Sequence, residues 1–470
     1  MTRWKLLLLL LCISVCQAKR SVVYPRILET RDSNGHKVVS INDDISLRLS
    51  RTSVFAQPLT FMSYEGGQLN KKMVNVDHIE DNLYRDPEHH AAIIIREKST
   101  GTELEGILKN KFRIKSLPSG PRVNGQMAHL LEEMEDDENL DALDFVDATG
   151  LIGEDDRSVG EPVPDTVYPE ILAVSDTSHL VNMNDSKMLD YLAVYYTAMN
   201  IFFMPLTQPK LELRLVGILN LREQPPYMVT AKNKRGKWVL AMGRTNHLFS
   251  RYLNTELDRK HYYDGVVWMT SLGIGRIING TGVTAVGGIA FGRLCTRTRL
   301  VMVPDYNWPG RKLLVTAHEI GHMVGAPHDA AGGLPICKGV HGYIMSGPSG
   351  NGPKRVQFSE CSKVHIRGFL SKHLGPKCWK TNFNYSEVIN QGEEMRGQQE
   401  FLNTYCRGER YAQLEIETDS RCTLKCCKYQ NKKKPNCNSQ ITPNGTICGE
   451  NKVCFNEICV DKDEAEGFYL

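Results

Sequence analysis

A chain of 470 residues is too long for one small domain and suffices for two or three at roughly 100–200 residues each. Hydrophobic residues at 41% and charged residues at 24% are ordinary globular values, which excludes a collagenous, a largely disordered or a polytopic membrane chain. The formal net charge of +3 gives no case for nucleic-acid binding, yet residues 19–157 carry 18 Lys and Arg against 25 Asp and Glu while residues 158–470 carry 37 against 29, so the two parts should attract.

Arg3 and Lys5 precede a stretch, Leu6 to Cys16, that is apolar apart from Ser14, and Ala18 supplies a small residue for cleavage. Residues 1–18 therefore read as a signal peptide; an apolar stretch this short falls well below the roughly 20 residues a membrane span needs. A soluble, secreted, extracellular protein without a membrane span is expected. Residues 19–160 hold no cysteine and few aromatics, and Leu131 to Asp156 carries twelve carboxylates, so this part reads as a propeptide whose acidic end is either a solvated linker or docked on the basic remainder.

Beyond it, strand and helix signals alternate. Tyr168–Val174 is β-branched and apolar, and Lys187–Met204 sets Leu189, Leu192, Tyr196, Met199 and Phe203 on one helical stripe. Leu211–Leu221 reads as a strand, Asn246–Arg259 as a helix and Gly265–Thr270 as a strand. This alternation predicts an α/β fold with a mostly parallel twisted sheet. Once Cys12 and Cys16 leave with the signal, twelve cysteines remain, none before Cys295, which in a secreted chain implies disulfides. A polar connector around Gln391–Glu400 leads to Cys406–Cys459, where eight cysteines serve a module too small to bury much core. Sequons begin at Asn184, Asn279, Asn384 and Asn444.

The chemistry concentrates in His318-Glu319-Ile320-Gly321-His322-Met323-Val324-Gly325-Ala326-Pro327-His328-Asp329. His318 and His322 stand four residues apart after a helix-forming apolar run, so both imidazoles leave one helix face and can share an ion. Gly325 can take the positive φ that ends a helix, turning the chain so that His328 supplies a third nitrogen. Three protein ligands leave a tetrahedral zinc one position for water, and Glu319 is placed to take that water's proton and deliver it to a leaving amine. The domain boundaries that follow are a zinc protease domain over 161–382 and a linker with a cysteine-rich module over 383–470.

This H-E-x-x-H-x-x-G-x-x-H pattern resembles the metzincins, and Asp329 after the third histidine resembles their reprolysin (adamalysin) branch. Val23-Tyr24-Pro25-Arg26, the junction Pro164–Glu170 and the cysteine-rich tail are similar to the salivary reprolysins of ticks. The resemblance implies a secreted zinc endopeptidase made as a zymogen and acting on extracellular proteins such as fibrinogen, fibrin or matrix. It also implies a methionine turn at Met345, a substrate-binding edge strand through Gly287, Gly288, Ile289 and Ala290, and the bridges Cys295–Cys378 and Cys337–Cys361, although four cysteines allow three pairings.

For a structural calcium, Glu170 and Asp264 match the family's first two positions, while the asparagine expected three residues after the last cysteine is replaced by Thr381, with Asn382 one further on. No propeptide cysteine is available to block the zinc, and Arg157 is the nearest basic cleavage candidate. Lys425, Lys428, Lys432, Lys433 and Lys434 make a basic stretch in the tail that reads either as a solubilising loop or as a docking site for an acidic exosite partner or a sulfated glycan. The alternative function is a non-catalytic adhesion or clotting antagonist acting through that tail.

Overall fold

The computed structural model describes residues 20–29, 36–134, 164–181, 183–257, 263–306, 312–329, 337, 339–346, 354–372 and 378, and in the C-terminal part 411–416, 422–428, 436–442, 446–449, 452–455 and 458–461. The signal segment, most of the acidic run, Arg157, Thr381, Asn382, Asn384, Asn444 and Lys432 to Lys434 lie outside the described residues.

The N-terminal region builds a nine-stranded antiparallel sheet in the spatial order 20–23, 129–133, 112–116, 101–108, 91–98, 83–86, 45–51, 37–42, 26–29. Strand alternation sorts its side chains. In Ile45–Arg51, Ile45, Leu47 and Leu49 point inward while Ser46 and Arg48 face water. Ala91–Ile95 is buried throughout, because Ile93 and Ile95 enter the sheet's own core with Val39 and Ile114, whereas Ala92 and Ile94 join a second core shared with Tyr195 and Phe202.

That second core covers one face of a seven-stranded sheet in the order Ile289–Phe291, Leu300–Pro304, Gly265–Thr270, Glu170–Ser175, Arg214–Leu221, Phe55–Glu65, Gln68–Val74, whose other face packs on a third core that includes Leu172, Val174, Trp268 and Phe249. The five inner strands run parallel; the two at the edges run antiparallel to their neighbours. Helix Asp185–Phe203 begins at Asn184, whose side chain accepts from the Lys187 N–H at 2.9 Å. Every residue from Tyr191 to Phe203 is buried, since the helix lies between the two sheets instead of presenting one face to water.

Several expected boundaries move. The strand expected over Leu211–Leu221 is broken into Lys210–Leu211 and Arg214–Leu221. The helix expected from Asn246 starts at Met242, straight from strand Trp238–Ala241, and its last turn widens into a π-helix at Leu253–Leu257. Strand pairing also crosses the boundary expected near residue 160, because Thr60 to Tyr64 pair with Gly217 to Leu221. The ion pairs described across this junction mostly set N-terminal cations on later carboxylates, Lys72 on Asp185, Arg96 on Asp190 and Arg85 on Glu212, with Arg222 on Glu65 the reverse. These pairs add to the strand pairing and the shared core that join the two parts.

Bridges Cys295–Cys378 and Cys337–Cys361 are formed, and the C-terminal part carries Cys422–Cys454, Cys427–Cys437 and Cys448–Cys459 on two three-stranded antiparallel sheets. Among the described residues no helix is long and apolar enough to cross a membrane.

Candidate metal centre

Helix Leu313–Met323 carries the site. Leu313, Ala317, Ile320 and Met323 enter the core, and the helix axis is thereby fixed against the sheet. It ends at Gly325, whose φ is +100°. The Ala326 N–H bonds back to Gly321 O at 2.9 Å and the Gly325 N–H to His322 O at 3.0 Å, the two closures of a Schellman turn. This turn does more than stop the helix. It brings Ala326 O within 2.8 Å of His322 Nδ1 and returns the chain so that His328 faces the helix.

The three imidazoles converge. His318 Nε2, His322 Nε2 and His328 Nε2 are 3.1 Å apart in every pair. Ligands at roughly 2.0–2.1 Å around a tetrahedral ion stand roughly 3.3–3.4 Å from one another, so the nitrogen set fits zinc. Tautomers follow from the carbonyl partners, which only accept: His318 Nδ1 donates to Ile344 O at 2.6 Å and His322 Nδ1 to Ala326 O, which leaves each Nε2 lone pair toward the common centre. Burial, and then the neighbouring His318 and His328 rings, push the His322 imidazole well below its ordinary value, so it stays neutral as a ligand must be. Glu319 is 1% exposed and lies on the same helix against Gly288, where an added Cβ would stand 2.8 Å from Glu319 Oε1.

The Met345 turn sits beneath. Met345 is fully buried, and a Cβ on Gly321 would stand 2.6 Å from its sulfur, so the glycine between the two helix histidines is what lets the methionine approach. Asp329 ties the return segment down. Its N–H bonds Met345 O at 3.0 Å, and its carboxylate accepts from Ser346, Ser359 and Ser362, the last on helix Glu360–Lys372. Gly288 is expected in the substrate-binding strand, but its closeness to Glu319, like the roles of Gly321 and the three serines, escapes sequence reading, since each depends on a neighbour brought close only by folding.

Strand Ile289–Phe291 forms one edge of the large sheet, pairing Ile289 with Met302 and Ala290 with Val301, and Gly287 and Gly288 lead into it beside Glu319. Glu170 and Asp264 meet elsewhere, under Cys295: the Glu170 N–H bonds Asp264 Oδ2 at 2.9 Å, and the residues are 2% and 3% exposed. Burial pushes the Asp264 carboxyl well above its ordinary value; the Glu170 N–H opposes this and the Glu170 charge adds to it. Two buried, adjoining carboxylates suit a hard oxygen-seeking cation. Asn184 and Asn279 are exposed, the latter with φ +48° before Gly280 at +75°, at the tip of hairpin Gly273–Val286.

Residues 172–359 match the family model described as Reprolysin_5, metallo-peptidase family M12. The venom metalloproteinase BumaMPs1 of Olivierus martensii is 27% identical over 372 residues, which cover 76% of this chain and 91% of that protein. The venom metalloproteinase antarease-like TtrivMP_A of Tityus trivittatus is 24% identical, covering 64% of this chain and 80% of its own length. For the venom metalloproteinase antarease TserMP_A of Tityus serrulatus the identity is 24%, over 76% of this chain and 93% of that one. Residues 172–359 form a reprolysin-type metzincin domain of metallopeptidase family M12, and the chain that carries it is a metalloendopeptidase.

Proposed function

We propose that the protein is a secreted zinc endopeptidase in which His318, His322 and His328 hold the ion and Glu319 is the general base. The observation that carries this reading is the mutual 3.1 Å approach of three imidazole nitrogens with Glu319 on the adjoining turn. When bound, zinc polarises the attacking water and the scissile carbonyl. Glu319 takes the water proton on a carboxylate oxygen and returns it to the leaving amine nitrogen, so hydrolysis needs no covalent enzyme intermediate. The backbone of Gly287 to Ala290 binds an extended substrate as an added strand, and the missing Cβ of Gly288 keeps the carboxylate clear.

Residues 19–160 act as the propeptide, 161–382 as the protease domain and 383–470 as a disulfide-stapled accessory module. Glu170 and Asp264 hold a structural calcium. Extracellular action on fibrinogen, fibrin or matrix agrees with the disulfides and with relatives named as venom proteins. Processed protein is incubated with fibrinogen and gelatin, with and without 1,10-phenanthroline. Chelator-sensitive cleavage that disappears in Glu319→Ala supports the reading; cleavage that survives both sinks it. A Glu319→Ala protein that still blocks clotting or adhesion at full strength would favour the tail-based antagonist instead.

A further inference from the structure

The small sheet above the edge strand has an unusual charge. Its four strands, Thr230–Lys232, Trp238–Ala241, Gly273–Ile278 and Thr281–Val286, contain no carboxylate, and none occurs anywhere from Gln224 to Thr255 or from Gly265 to Pro304. The first hairpin of this sheet concentrates cations in the order Lys232-Asn233-Lys234-Arg235-Gly236-Lys237, followed by Trp238. All four cations are exposed, and Trp238 is 50% exposed with the Lys232 ammonium 5.1 Å from its ring centre.

The turn that presents them is rigidly held. Asn233 Oδ1 accepts from the N–H groups of Arg235 at 2.9 Å and Lys237 at 3.0 Å. The Asn233 N–H bonds Lys237 O at 2.8 Å, the Gly236 N–H bonds Asn233 O at 2.9 Å, and Gly236 takes a φ of +75°. Lys234, Arg235 and Lys237 are thus fixed on one short loop, with no carboxylate partner among the described residues. Like charges held together without a counterion raise the local potential, and backbone preorganisation lowers the ordering cost when an anion binds.

We propose that this hairpin is a docking site for a sulfated polysaccharide. A polymer with regularly repeated sulfates answers several fixed cations at once, whereas a lone phosphate or carboxylate ligand would engage one or two. The disulfides belong to an oxidising compartment, which argues against nucleic acid. Segment 233–237 has no apolar side chain, and the half-exposed Trp238 that follows it, its ring already under the Lys232 ammonium, is too little apolar surface to hold the hairpin in a bilayer, which argues against a membrane surface. The same sheet runs through Val286 into Gly287 and Gly288, so a polysaccharide held here anchors the enzyme beside its cleft without occupying it. This inference does not depend on the catalytic reading.

The test uses the full chain and a heparin octasaccharide, with affinity measured by calorimetry across a salt series. Wild type is expected to bind, and the triple variant Lys234→Ala, Arg235→Ala, Lys237→Ala to bind at least tenfold more weakly, its plot of log affinity against log salt flatter by about two to three units. Turnover of a short peptide, measured on the processed protein, should be unchanged in that variant. A charge-matched control, Lys432→Ala, Lys433→Ala, Lys434→Ala, should bind as wild type does. The proposal is overturned if wild type fails to bind heparin, if the control weakens binding as much as the hairpin variant, or if the hairpin is needed for phosphatidylserine vesicles but not for heparin.

Discussion

Gly288→Ala perturbs Glu319, the proposed general base, without touching any of the three clustered histidines. The new Cβ would stand 2.8 Å from both Glu319 Oε1 and Val315 Cγ1, and 2.9 Å from Glu319 Cγ. Ordinary contacts begin near 3.4 Å, so the strand or the Glu319 side chain must retreat by about 0.6 Å. Overfilling a packed site costs about 1–3 kcal/mol, and Glu319 is held on a helix whose other face is core, so the carboxylate has little alternative but to rotate. If that cost falls on the transition state, each 1.36 kcal/mol is tenfold in rate, and kcat should drop about 10- to 100-fold. Zinc content, measured by mass spectrometry on the purified protein, should remain stoichiometric, because the three Nε2 atoms and their carbonyl partners are untouched. Glu319→Ala sets the floor, with a loss of roughly 10²–10⁴ expected for a general acid–base group. A Gly288→Ala enzyme with kcat within twofold of wild type and full metal would refute the placement of Glu319 against this strand.

Asp329→Ala should lower stability by about 2–4 kcal/mol, since it strips the partner from three buried serines at once; a melting temperature within a degree of wild type would count against that network. Calcium at 100 times its dissociation constant should stabilise the chain by about 2.7 kcal/mol, read as a rise in melting temperature that Asp264→Asn abolishes, and an identical melt in EGTA with zinc present would exclude the site. At Asp185, burial raises the carboxyl pKa, but Lys72 and Arg222 outweigh it and hold the value below the ordinary 3.8. The unfolded chain then binds the proton more readily, so this contribution is complete above 3.8 and fades as pH falls through the lower folded value. Asp185→Asn should therefore flatten the acid limb of a melting series, by under about 1 kcal/mol because the pair is largely exposed; an unchanged limb would deny it.

The convergence of the three histidines was legible because its determinants are local. His318 and His322 are paired by helix geometry alone, and Gly325 announces the turn that returns His328, so one short segment specifies most of the centre. Of the five inner strands, Glu170–Ser175, Arg214–Leu221 and Gly265–Thr270 were legible from their apolar runs for the same reason, whereas Phe55–Glu65 and Leu300–Pro304 were not. What could not be read was pairing between distant segments. Arg214–Leu221 looks like a half-buried strand in isolation but is buried at every position, because Phe55–Glu65 pairs with it from about 160 residues earlier. The closeness of Gly288 to Glu319 and of Gly321 to Met345 likewise has no local signal, although Gly288 is expected in the substrate strand; each contact is made by the side chain of a different segment. Ser346, Ser359 and Ser362 read as ordinary polar residues until Asp329 gathers them.

That distant pairing also bears on where a substrate strand can add. A sheet invites additional strands at both of its edges, and the two edges here are treated differently. On one side the N-terminal hairpin covers Arg214–Leu221 and finishes with Gln68–Val74, five of whose seven residues are exposed and which includes Lys71 and Lys72, a charged rim that discourages further pairing. On the other, the sheet ends on Ile289–Phe291, a short apolar strand entered through two glycines and lying against Glu319. A peptide adding to this second edge meets the carboxylate and the three imidazoles directly, whereas one adding to the first would be held the whole width of the sheet away. In the unprocessed chain the N-terminal hairpin therefore blunts the far edge and leaves the edge beside Glu319 for strand addition, although none of its residues contributes to the histidine cluster, and removal of residues 19–160 would uncover Arg214–Leu221 as a new edge.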